Sequence, residues 1–480
     1  MEKIQVRHTI WLKFFFLATF PVVHYLIIKQ QLITLQAEVN TVEQVLSGIV
    51  FGIFAMVILQ FFQMPRALRL SPRKSDLIVF AISFFIADVL ARFILSISFA
   101  SSFFSIWVIS SRSIALAGLW FVTQFILARI LKTLGYRIHL GLFATQTELN
   151  YVQHAVRGYE TEKILDIELA DSSNDKNFDI VAYSKDFLTT ETREYHLLQL
   201  TLRGVPVIDM RDLVEEFDSH IDLDRSNTSD ILGWAQNLPL SVKMYIRIKN
   251  FVEPILAAIL LVLLAPILLI TAMLVKISSK GPVLFTQNRL GQGGRPFTIF
   301  KFRTMRMDAE VAGIQWAQEN DPRITRMGNI LRKLHIDELP QLLNIVRGDL
   351  SFVGPRPERP EFYEKLKSEI PLFYMRTAIR PGLTGWAQVC AGYASSIQDS
   401  KIKLSYDLHY IKNMSLRMDV ISSVMTVVHI CNKFFWGENS LHRNAILKRP
   451  STNVMRSSLF IFVMITLFTM SISAIAFGKY

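Results

Sequence analysis

Long apolar runs alternate with short basic stretches along the first quarter of the chain. Four runs reach the length of about 20 residues that a membrane-spanning helix needs; they cover residues 11–28, 45–62, 77–95 and 104–131. Lys and Arg residues gather before the first run, between the second and third, and after the fourth. By the positive-inside rule these basic segments are cytoplasmic. The pattern therefore predicts a four-helix transmembrane bundle.

A fifth apolar stretch, residues 251–275, carries basic residues on both flanks. A crossing would place one basic cluster outside, whereas a helix that enters the membrane and returns keeps both in the cytoplasm. Pro266 lies in the middle of this stretch and is expected to bend or break the helix, because it lacks a backbone N–H group. An ordinary kinked span is the alternative. A sixth stretch, residues 459–477, follows a basic cluster and is predicted to cross the membrane.

Between residues 136 and 240 the chain is polar, with short apolar runs. Residues 179–182 and 205–208 are predicted to form buried strands, and residues 197–202 the helix between them, which gives a βαβ pattern. Residues 140–148 lack the GxGxxG glycines that let a backbone approach a pyrophosphate. We therefore predict a degenerate Rossmann-like domain that does not bind NAD and serves for spacing or oligomerisation.

The composition adds a positive charge to this picture. Lys and Arg number 52 against 40 acidic residues, a formal net charge of +12, which suits an anionic partner such as a phosphate lipid or a nucleotide. Hydrophobic residues make up 51% of the chain, which excludes extensive disorder. The two cysteines, Cys390 and Cys431, are too few for a disulfide framework or a CxxC metal site.

Residues 280–412 hold the densest run of chemically suggestive side chains. Residues 281–303 predict a hairpin of two strands around the glycine turn 291–294, which is not a P-loop because no GK[ST] follows. Period-two alternation in the second strand places Lys301 and Arg303 on one face. Two such cations suit a phosphate, or alternatively a solvated or lipid-headgroup face.

Asp337 and Glu338 lie at the start of a predicted helix. Apolar residues on both sides of the pair have helical spacing, and Pro340 fits a first helical turn. A helix start favours anionic groups, so one carboxylate could attack phosphorus while the other holds a divalent metal. The alternative is a helix N-cap followed by a first-turn acid.

Two rigid turns follow the acidic pair. Prolines on both sides of Arg356 fix its backbone, which suits a preorganised phosphate contact. The second turn brings Arg380 together with Trp386 and Gln388, a cation, an aromatic face and an amide that suit a nucleobase or sugar. Taken singly, each turn has a structural role as its alternative.

Together these motifs resemble the bacterial sugar transferase family, the polyprenyl-phosphate hexose-1-phosphate transferases that start exopolysaccharide and O-antigen assembly. The resemblance covers residues 249–434, through KGPVLFTQNRLGQGGRPFTIFKFRTM, DPRITRMGNILRKLHIDELPQLLNIVRGDLSFVGPRPERPEF and RPGLTGWAQV. It implies a membrane protein of α plus α/β class with four parts. These are a four-helix transmembrane domain (1–135), a degenerate nucleotide-binding-like domain (136–240), a monotopic, mostly helical catalytic domain with a re-entrant helix and a small β-hairpin (241–445), and a C-terminal hydrophobic segment (446–480).

The resemblance implies transfer of a hexose 1-phosphate from a UDP-sugar to undecaprenyl phosphate, with release of UMP and a need for Mg²⁺. We expect UDP-glucose or UDP-galactose as the donor, with an N-acetylated sugar left open. The family pattern makes Asp337 the nucleophile of a phosphosugar intermediate and Glu338 a metal ligand, and Asp407 is a further acid that we assign to the metal. The basic residues that match the family's phosphate contacts are Lys301, Arg303, Arg332 and Arg356.

The resemblance also implies a place in the bacterial inner membrane, with the catalytic domain at the cytoplasmic face among anionic lipids. It strengthens the interpretation of Pro266 as the break of a re-entrant helix, although Ala265 stands where the family often has Ser or Lys. Cys390 replaces a frequent Asn, and the stretch 459–477 extends beyond the usual end of the family. A homodimer is expected, and a nucleic-acid partner is not.

Two other classes of protein remain as alternatives. One is a catalytically inactive membrane scaffold of a polysaccharide assembly complex, which would have no need of Asp337 and Glu338. The other is a small-solute transporter, which needs polar residues within several spans. Asp88, Arg92 and Arg112 are the candidates for that role.

Overall fold

The structure, a computed structural model, describes about half of the chain. The described residues are 138–157, 165–170, 178–187, 191–226, 228–306, 321–391 and 396–436, together with Phe84, Val89 and Gly118. Apart from these last three residues, which are helical, the predicted spans before residue 132 and the stretch 459–477 lie outside the description. The described chain divides into two compact units between Asp218 and Ser219, before the boundary at 240 that the sequence predicts.

The first unit is built on a parallel sheet with helices. Its strands are β1 (Ile138–Phe143), β2 (Leu165–Leu169), β3 (Ile180–Tyr183) and β4 (Val207–Asp209), in the spatial order β2-β1-β3-β4. Its helices are α1 (Gln146–Val156), α2 (Glu191–Leu202) and α3 (Met210–Asp218). The predicted strand–helix–strand pattern is present as β3, α2 and β4.

Both faces of this sheet are covered, as is usual for parallel strands. Leu140 and Leu142 pack on one face with Val152 and Leu213, while Phe143 packs on the other in a separate apolar cluster. Gly141 leaves room for the ring of Phe178 on that second face, since a Cβ atom there would lie 2.7 Å from the ring. Strand β1 is therefore buried on both faces and forms part of the structural core of this unit.

The second unit is mostly helical. Its helices are α4 (Thr228–Gln236), α5 (Leu240–Ser278), α6 (Arg326–Lys333), α7 (Leu342–Arg347), α8 (Pro360–Glu369), α9 (Trp386–Ala391), α10 (Ile397–Lys412) and α11 (Leu416–Trp436). The described part of this unit also contains three 3₁₀ helices, Gln292–Gly294, Ile336–Gln341 and Phe373–Thr377. The predicted hairpin is confirmed as the antiparallel pair β5 (Leu284–Leu290) and β6 (Pro296–Phe302), and Gly293 and Gly294 supply the positive φ angles of its turn.

Helix α5 is, among the described residues, the one helix long and apolar enough to cross a membrane. The sequence predicts a break at Pro266, but the helix continues through it without ending. Both sides of the proline pack on the rest of the unit. Ala257 packs against Leu342 and Ile345, and Val275 packs with Phe302 in a second cluster of the same unit. The other side of the helix exposes large apolar side chains, which include Phe251, Ile259, Val262, Leu263, Leu269, Met273 and Ile277.

A buried polar network holds the first half of α5. The ammonium group of Lys249 donates to Asp419 Oδ2 (2.6 Å), to the Val353 carbonyl (2.7 Å) and to Tyr410 Oη (2.8 Å). Glu253, one turn further along α5, accepts from Ser351 Oγ (2.9 Å). Because a buried charge is stable only with partners, these bonds fix α5 against the short strand at residues 351–353 and against α11.

That short strand, β7 (Ser351–Val353), pairs in parallel with β8 (Gly382–Thr384). The two backbones come close around three glycines. A Cβ atom on Gly382 would lie 2.1 Å from the nitrogen of Gly354, and one on Gly385 would lie 2.1 Å from the Gly354 carbonyl oxygen. The pair leads the chain directly into the Pro355–Arg356 turn.

Candidate active site

The acidic pair sits in the first turn of the 3₁₀ helix Ile336–Gln341. Helix α6 before it is capped by Thr325, whose hydroxyl accepts from the Gly328 N–H (2.9 Å). His335 then adopts a left-handed conformation (φ 55°) that turns the chain between the two helices. Asp337 and Glu338 are 7% and 9% exposed. The predicted helix start is thus a 3₁₀ helix, and both acids are buried in it.

Two cations hold Glu338. Its Oε1 atom accepts from Lys301 Nζ at 2.7 Å and from Arg356 Nη2 at 2.9 Å. Burial alone would raise the pKa of Glu338, but the charges of Arg356 and Lys301 outweigh it and hold this pKa well below its ordinary value. Glu338 is therefore a fixed negative charge between two positive ones.

Asp337 has the opposite protonation behaviour. Burial, followed by the neighbouring charge of Glu338, raises the pKa of Asp337 to about 6, although Lys301, Arg332 and Arg356 oppose the shift. Arg332 is itself oriented by Thr304, whose hydroxyl accepts from Arg332 Nε at 2.9 Å. Three of the basic residues predicted from the sequence thus gather around the acidic pair.

The balance of charge at this place favours an anion. Lys301, Arg332 and Arg356 bring three positive charges, against two carboxylates when both are ionised. A basic surplus beside two carboxylates of unlike pKa suits phosphoryl transfer, which depends on positioning and on neutralising phosphate oxygens.

The bonds that the structure gives to Arg303 lead to the end of α5. Its Nη2 atom donates to the carbonyl (2.8 Å) and the hydroxyl (2.9 Å) of Ser279, the residue that caps the C-terminus of α5. Its backbone N–H donates to the Val283 carbonyl (2.9 Å), one residue beyond the end of β6, and its predicted place beside Lys301 stays a prediction. A cation at a helix C-terminus is favourable because the last carbonyls lack partners.

Three further candidates make contacts with the backbone of their own unit. Trp386 donates its indole N–H to the Ser219 carbonyl (3.0 Å) and packs in an apolar cluster. Gln388 Nε2 lies 3.5 Å from the Leu383 carbonyl. The guanidinium of Arg380 lies beside Gly348, 3.5 Å from where a Cβ atom would be. Their role with a nucleobase or sugar stays a prediction.

Asp407 does not join the acidic pair in the contacts that the structure gives it. It forms an ion pair with Arg376 at 2.9 Å, and both side chains are almost fully buried. Among the described residues, no group of three or more His, Cys, Asp or Glu side chains is arranged to hold a metal ion. Mg²⁺ commonly takes only one or two carboxylates and completes its shell with water and substrate phosphates, so Asp337 and Glu338 fit it.

Sequence reasoning missed the residues that fix Arg356. Four consecutive carbonyls of its turn accept hydrogen bonds: Pro355 from Gly382 N–H (2.9 Å), Arg356 from Arg376 Nη2 (3.1 Å), Pro357 from Arg289 Nη1 (3.1 Å) and Glu358 from Leu290 N–H (3.0 Å). The prolines signal a rigid turn, but no pattern in the sequence points to the two arginines, which lie far from it along the chain.

The first unit offers a second place where a ligand is expected by analogy. In doubly wound sheets a ligand binds beyond the carboxyl ends of the strands, where the strand order reverses, here between β1 and β3. Glu148 of α1 lies there, and its Oε2 accepts from the N–H (2.8 Å) and hydroxyl (2.9 Å) of Thr145 while Oε1 accepts from Ser184. The protein's own carboxylate accepts from donors of the kind that a phosphate would use, and the absence of dinucleotide binding stays a prediction.

Comparison with known proteins supplies the family. The profile described as "Bacterial sugar transferase" matches residues 244–433. A UDP-N-acetylgalactosamine-undecaprenyl-phosphate N-acetylgalactosaminephosphotransferase of Aeromonas hydrophila is 40% identical over 241 residues, 50% of this chain and 56% of that protein. A UDP-glucose:undecaprenyl-phosphate glucose-1-phosphate transferase of Caulobacter vibrioides is 42% identical over 181 residues, 37% of this chain and 68% of that protein.

The exopolysaccharide production protein PSS of Rhizobium leguminosarum is 42% identical over 177 residues, 35% of this chain and 87% of that protein. The chain spans little more than half of the Aeromonas relative, and 39% of the length of several glucose-1-phosphate transferases. The profile match lies within the second unit, which holds the acidic pair and its three cations. The chain therefore belongs to the bacterial sugar transferase family.

Proposed function

We propose that this protein transfers a hexose 1-phosphate from a UDP-sugar to undecaprenyl phosphate and releases UMP. The observation that carries the proposal is the acidic pair: two adjacent buried carboxylates of unlike pKa, enclosed by three cations. The product would be undecaprenyl-diphosphate-sugar, the first membrane-bound precursor of an exopolysaccharide, a capsule or an O-antigen. The relatives named above act on undecaprenyl phosphate by their names, which supports the acceptor.

The two acids divide the chemistry in this proposal. The Asp337 carboxylate attacks the phosphorus that carries the sugar, and the bond from that phosphorus to the bridging diphosphate oxygen breaks, so UMP leaves. An oxygen of undecaprenyl phosphate then attacks the same phosphorus, and the bond to Asp337 breaks to restore the carboxylate. Lys301, Arg332 and Arg356 neutralise the phosphate oxygens during both displacements.

Asp337 is the better nucleophile of the pair for a physical reason. A pKa near 6 leaves it ionised at neutral pH but more basic than an ordinary Asp. The charge on Glu338 is engaged by Lys301 and Arg356, which makes that carboxylate a poorer electron donor. Glu338, with Asp337, would hold Mg²⁺, which when bound supplies positive charge to the diphosphate.

The protein works at a membrane in this proposal. Helix α5 is about 58 Å long at 1.5 Å per residue, enough to cross a bilayer, yet both of its halves pack on the same unit. We propose that α5, although continuous through Pro266, bends at this residue, so that the helix enters from the cytoplasmic face and returns to it with Pro266 at the deepest part. We place the protein in the bacterial inner membrane as a multi-pass protein, surrounded by anionic lipids.

In this proposal the Rossmann-like domain serves as a spacer or forms a homodimer. The reason is that Glu148 occupies the place between β1 and β3 where a ligand would bind. The sugar itself is a hexose for which we expect glucose or galactose. The names of the relatives divide between glucose and N-acetylgalactosamine, so both kinds of donor belong in the test.

The decisive experiment measures UMP release by the purified full-length protein in detergent or nanodiscs. The panel contains UDP-glucose, UDP-galactose, UDP-N-acetylglucosamine and UDP-N-acetylgalactosamine, each with undecaprenyl phosphate and Mg²⁺ present or withheld. We expect release with one donor that requires both lipid and metal. Folded, membrane-bound protein that releases no UMP from any donor would instead favour the inactive scaffold.

A further inference from the structure

The side chain of Arg356 is 42% exposed and reaches Glu338 from a turn between two prolines, so the backbone of that turn helps to set its position. The four carbonyls of residues 355–358 all accept hydrogen bonds, as described above. Two of the donors are backbone N–H groups, and two are arginine side chains from distant parts of the chain. The bond to Arg356 itself comes from Arg376.

Arg376 can donate to that carbonyl because its own charge is balanced. Its guanidinium pairs with Asp407 at 2.9 Å and with Glu358 at 3.2 Å, and it lies over the ring of Phe373. Arg376 and Asp407 are both buried, at 7% and 1% exposed. Asp407 is the more buried of these two acidic partners, so removing its charge should leave the Arg376 guanidinium less firmly held.

We infer that Arg376 and Asp407 are positioning residues for the transfer reaction: Asp407 fixes Arg376, and Arg376 fixes the backbone from which Arg356 reaches Glu338. The inference rests on the proposed function. It gives Asp407 a role in place of the metal-ligand role that the sequence suggests. The reason is its place: in the contacts that the structure gives it, Asp407 pairs with Arg376 and does not join Asp337 and Glu338.

A misplacement of about 1 Å at a reacting group can cost on the order of 100-fold in rate. We therefore expect Asp407→Asn, which keeps the shape of the side chain but removes its charge, to lower kcat at least about tenfold. If Asp407→Asn lowers kcat because it displaces Arg356, it must lower kcat less when Arg356 has already been replaced by Ala. Losses that share one path are not additive, and a double-mutant cycle measures that.

The experiment compares wild type, Asp407→Asn, Arg356→Ala and the double variant, using UMP release at varied Mg²⁺ concentration. We expect the double variant to lie within about threefold of Arg356→Ala, and the half-saturating Mg²⁺ concentration of Asp407→Asn to equal that of wild type. Asp209→Asn is the matched control, because it removes the charge of a carboxylate paired with Arg211 in the other unit. It should leave turnover unchanged.

Glu358→Gln is a milder companion, because Glu358 contacts Arg376 from a position that is 28% exposed and less critical for folding. Glu358→Gln should lower kcat less than Asp407→Asn does, and its effect should likewise not add to that of Arg356→Ala. Losses that multiply in the double variant, or a raised Mg²⁺ requirement in Asp407→Asn, would overturn the inference.

Hydrogen exchange separates this inference from the proposed function. The N–H groups of Gly382 and Leu290 donate to the carbonyls of Pro355 and Glu358, so their exchange reports the turn without any turnover. We expect Asp407→Asn to speed these two amides relative to the amide of Ser351, which donates to Pro381 outside the turn. Faster exchange with no UMP release even from wild type would reject the transferase, but it would retain the role of Asp407 and Arg376 in fixing the turn of residues 355–358. Unchanged exchange at both amides would reject the positioning role.

Discussion

Two glutamates, Glu148 and Glu338, are buried to a similar degree and both lie in the first turn of a helix, yet their surroundings differ in kind. The bonds that the structure gives to Glu148 come from neutral donors: the N–H and hydroxyl of Thr145 and the hydroxyl of Ser184. Glu338 accepts from two cations, and a third charged group, Asp337, stands beside it.

The difference shows how a buried carboxylate can be told apart as structural or functional. The neutral donors of Thr145 and Ser184 stabilise Glu148, and those of Thr145 complete a capping box. Around Glu338 the positive charge exceeds what one carboxylate needs, which is favourable only if further anions arrive. Burial alone does not distinguish the two sites, whereas the charge of the partners does.

The largest expected effect comes from Asp337→Asn, which removes the proposed nucleophile. UMP release should fall by at least on the order of 10⁴-fold, because the covalent route is lost while positioning remains. Thermal unfolding should show a protein at least as stable as wild type above pH 6. The raised pKa of Asp337 means that ionisation of this side chain costs stability as pH rises from about 4 to about 6, and Asn avoids that cost. Substantial turnover in this variant would contradict the assignment.

Glu338→Gln tests the charged member of the comparison. Losing one charge between Lys301 and Arg356 should lower UMP release by about 100-fold, because the cations and the metal are no longer held in place. Stability should fall by about 1–3 kcal/mol at pH 7, since the lowered pKa of Glu338 means that its charge stabilises the fold above pH 4.5. A urea titration checks the change in stability, and the UMP assay checks the change in activity. Full activity of this variant would show that Glu338 has no role in the transfer reaction.

The pH profile of the wild-type enzyme should show the ionisation of Asp337. The active form is the carboxylate, so kcat/KM should fall about tenfold per pH unit below an apparent pKa near 6. In Glu338→Gln this acidic limb should move to lower pH, because the charge of Glu338 is one of the two causes that raise the pKa of Asp337. An acidic limb that stays in place in the variant would separate the two residues.

The smallest effect is expected for Glu148→Gln, the matched change on the neutral side of the comparison. Gln keeps one acceptor oxygen, so stability should fall by only about 1 kcal/mol. UMP release per folded molecule should equal that of wild type, and the acidic limb should not move. A loss of turnover comparable to that of Glu338→Gln would show that the first unit takes part in catalysis.

Local signals in the sequence predicted much of this site. The glycine turn at 291–294 defined the hairpin, and helical spacing with Pro340 placed Asp337 and Glu338 in a first helical turn. Lys301, Arg332 and Arg356 were named from motifs, and the structure gathers them. Each of these inferences uses neighbours in the chain, where spacing determines which side chains meet.

Features that depend on distant contacts were not predicted. Lys249 pairs with Asp419, which lies 170 positions further along the chain, and no periodicity in the sequence predicts such a pair. The bonds from Arg303 to Ser279 at the end of α5 were not predicted, nor was the continuity of α5 through Pro266. The roles of Asp337, Glu338 and Asp407 are not read from the fold and await the experiments above.

The close approach of Gly354, Gly382 and Gly385 bears on how a saturation mutagenesis map of this protein should be interpreted. Any side chain at Gly382 or Gly385 would collide with the backbone of Gly354, so the three positions should score among the least tolerant in a selection for growth or polysaccharide. Such a score resembles that of a substrate contact. Steady-state protein abundance, measured beside activity for each variant, separates the two, because these glycines act by letting two strands meet beneath Arg356.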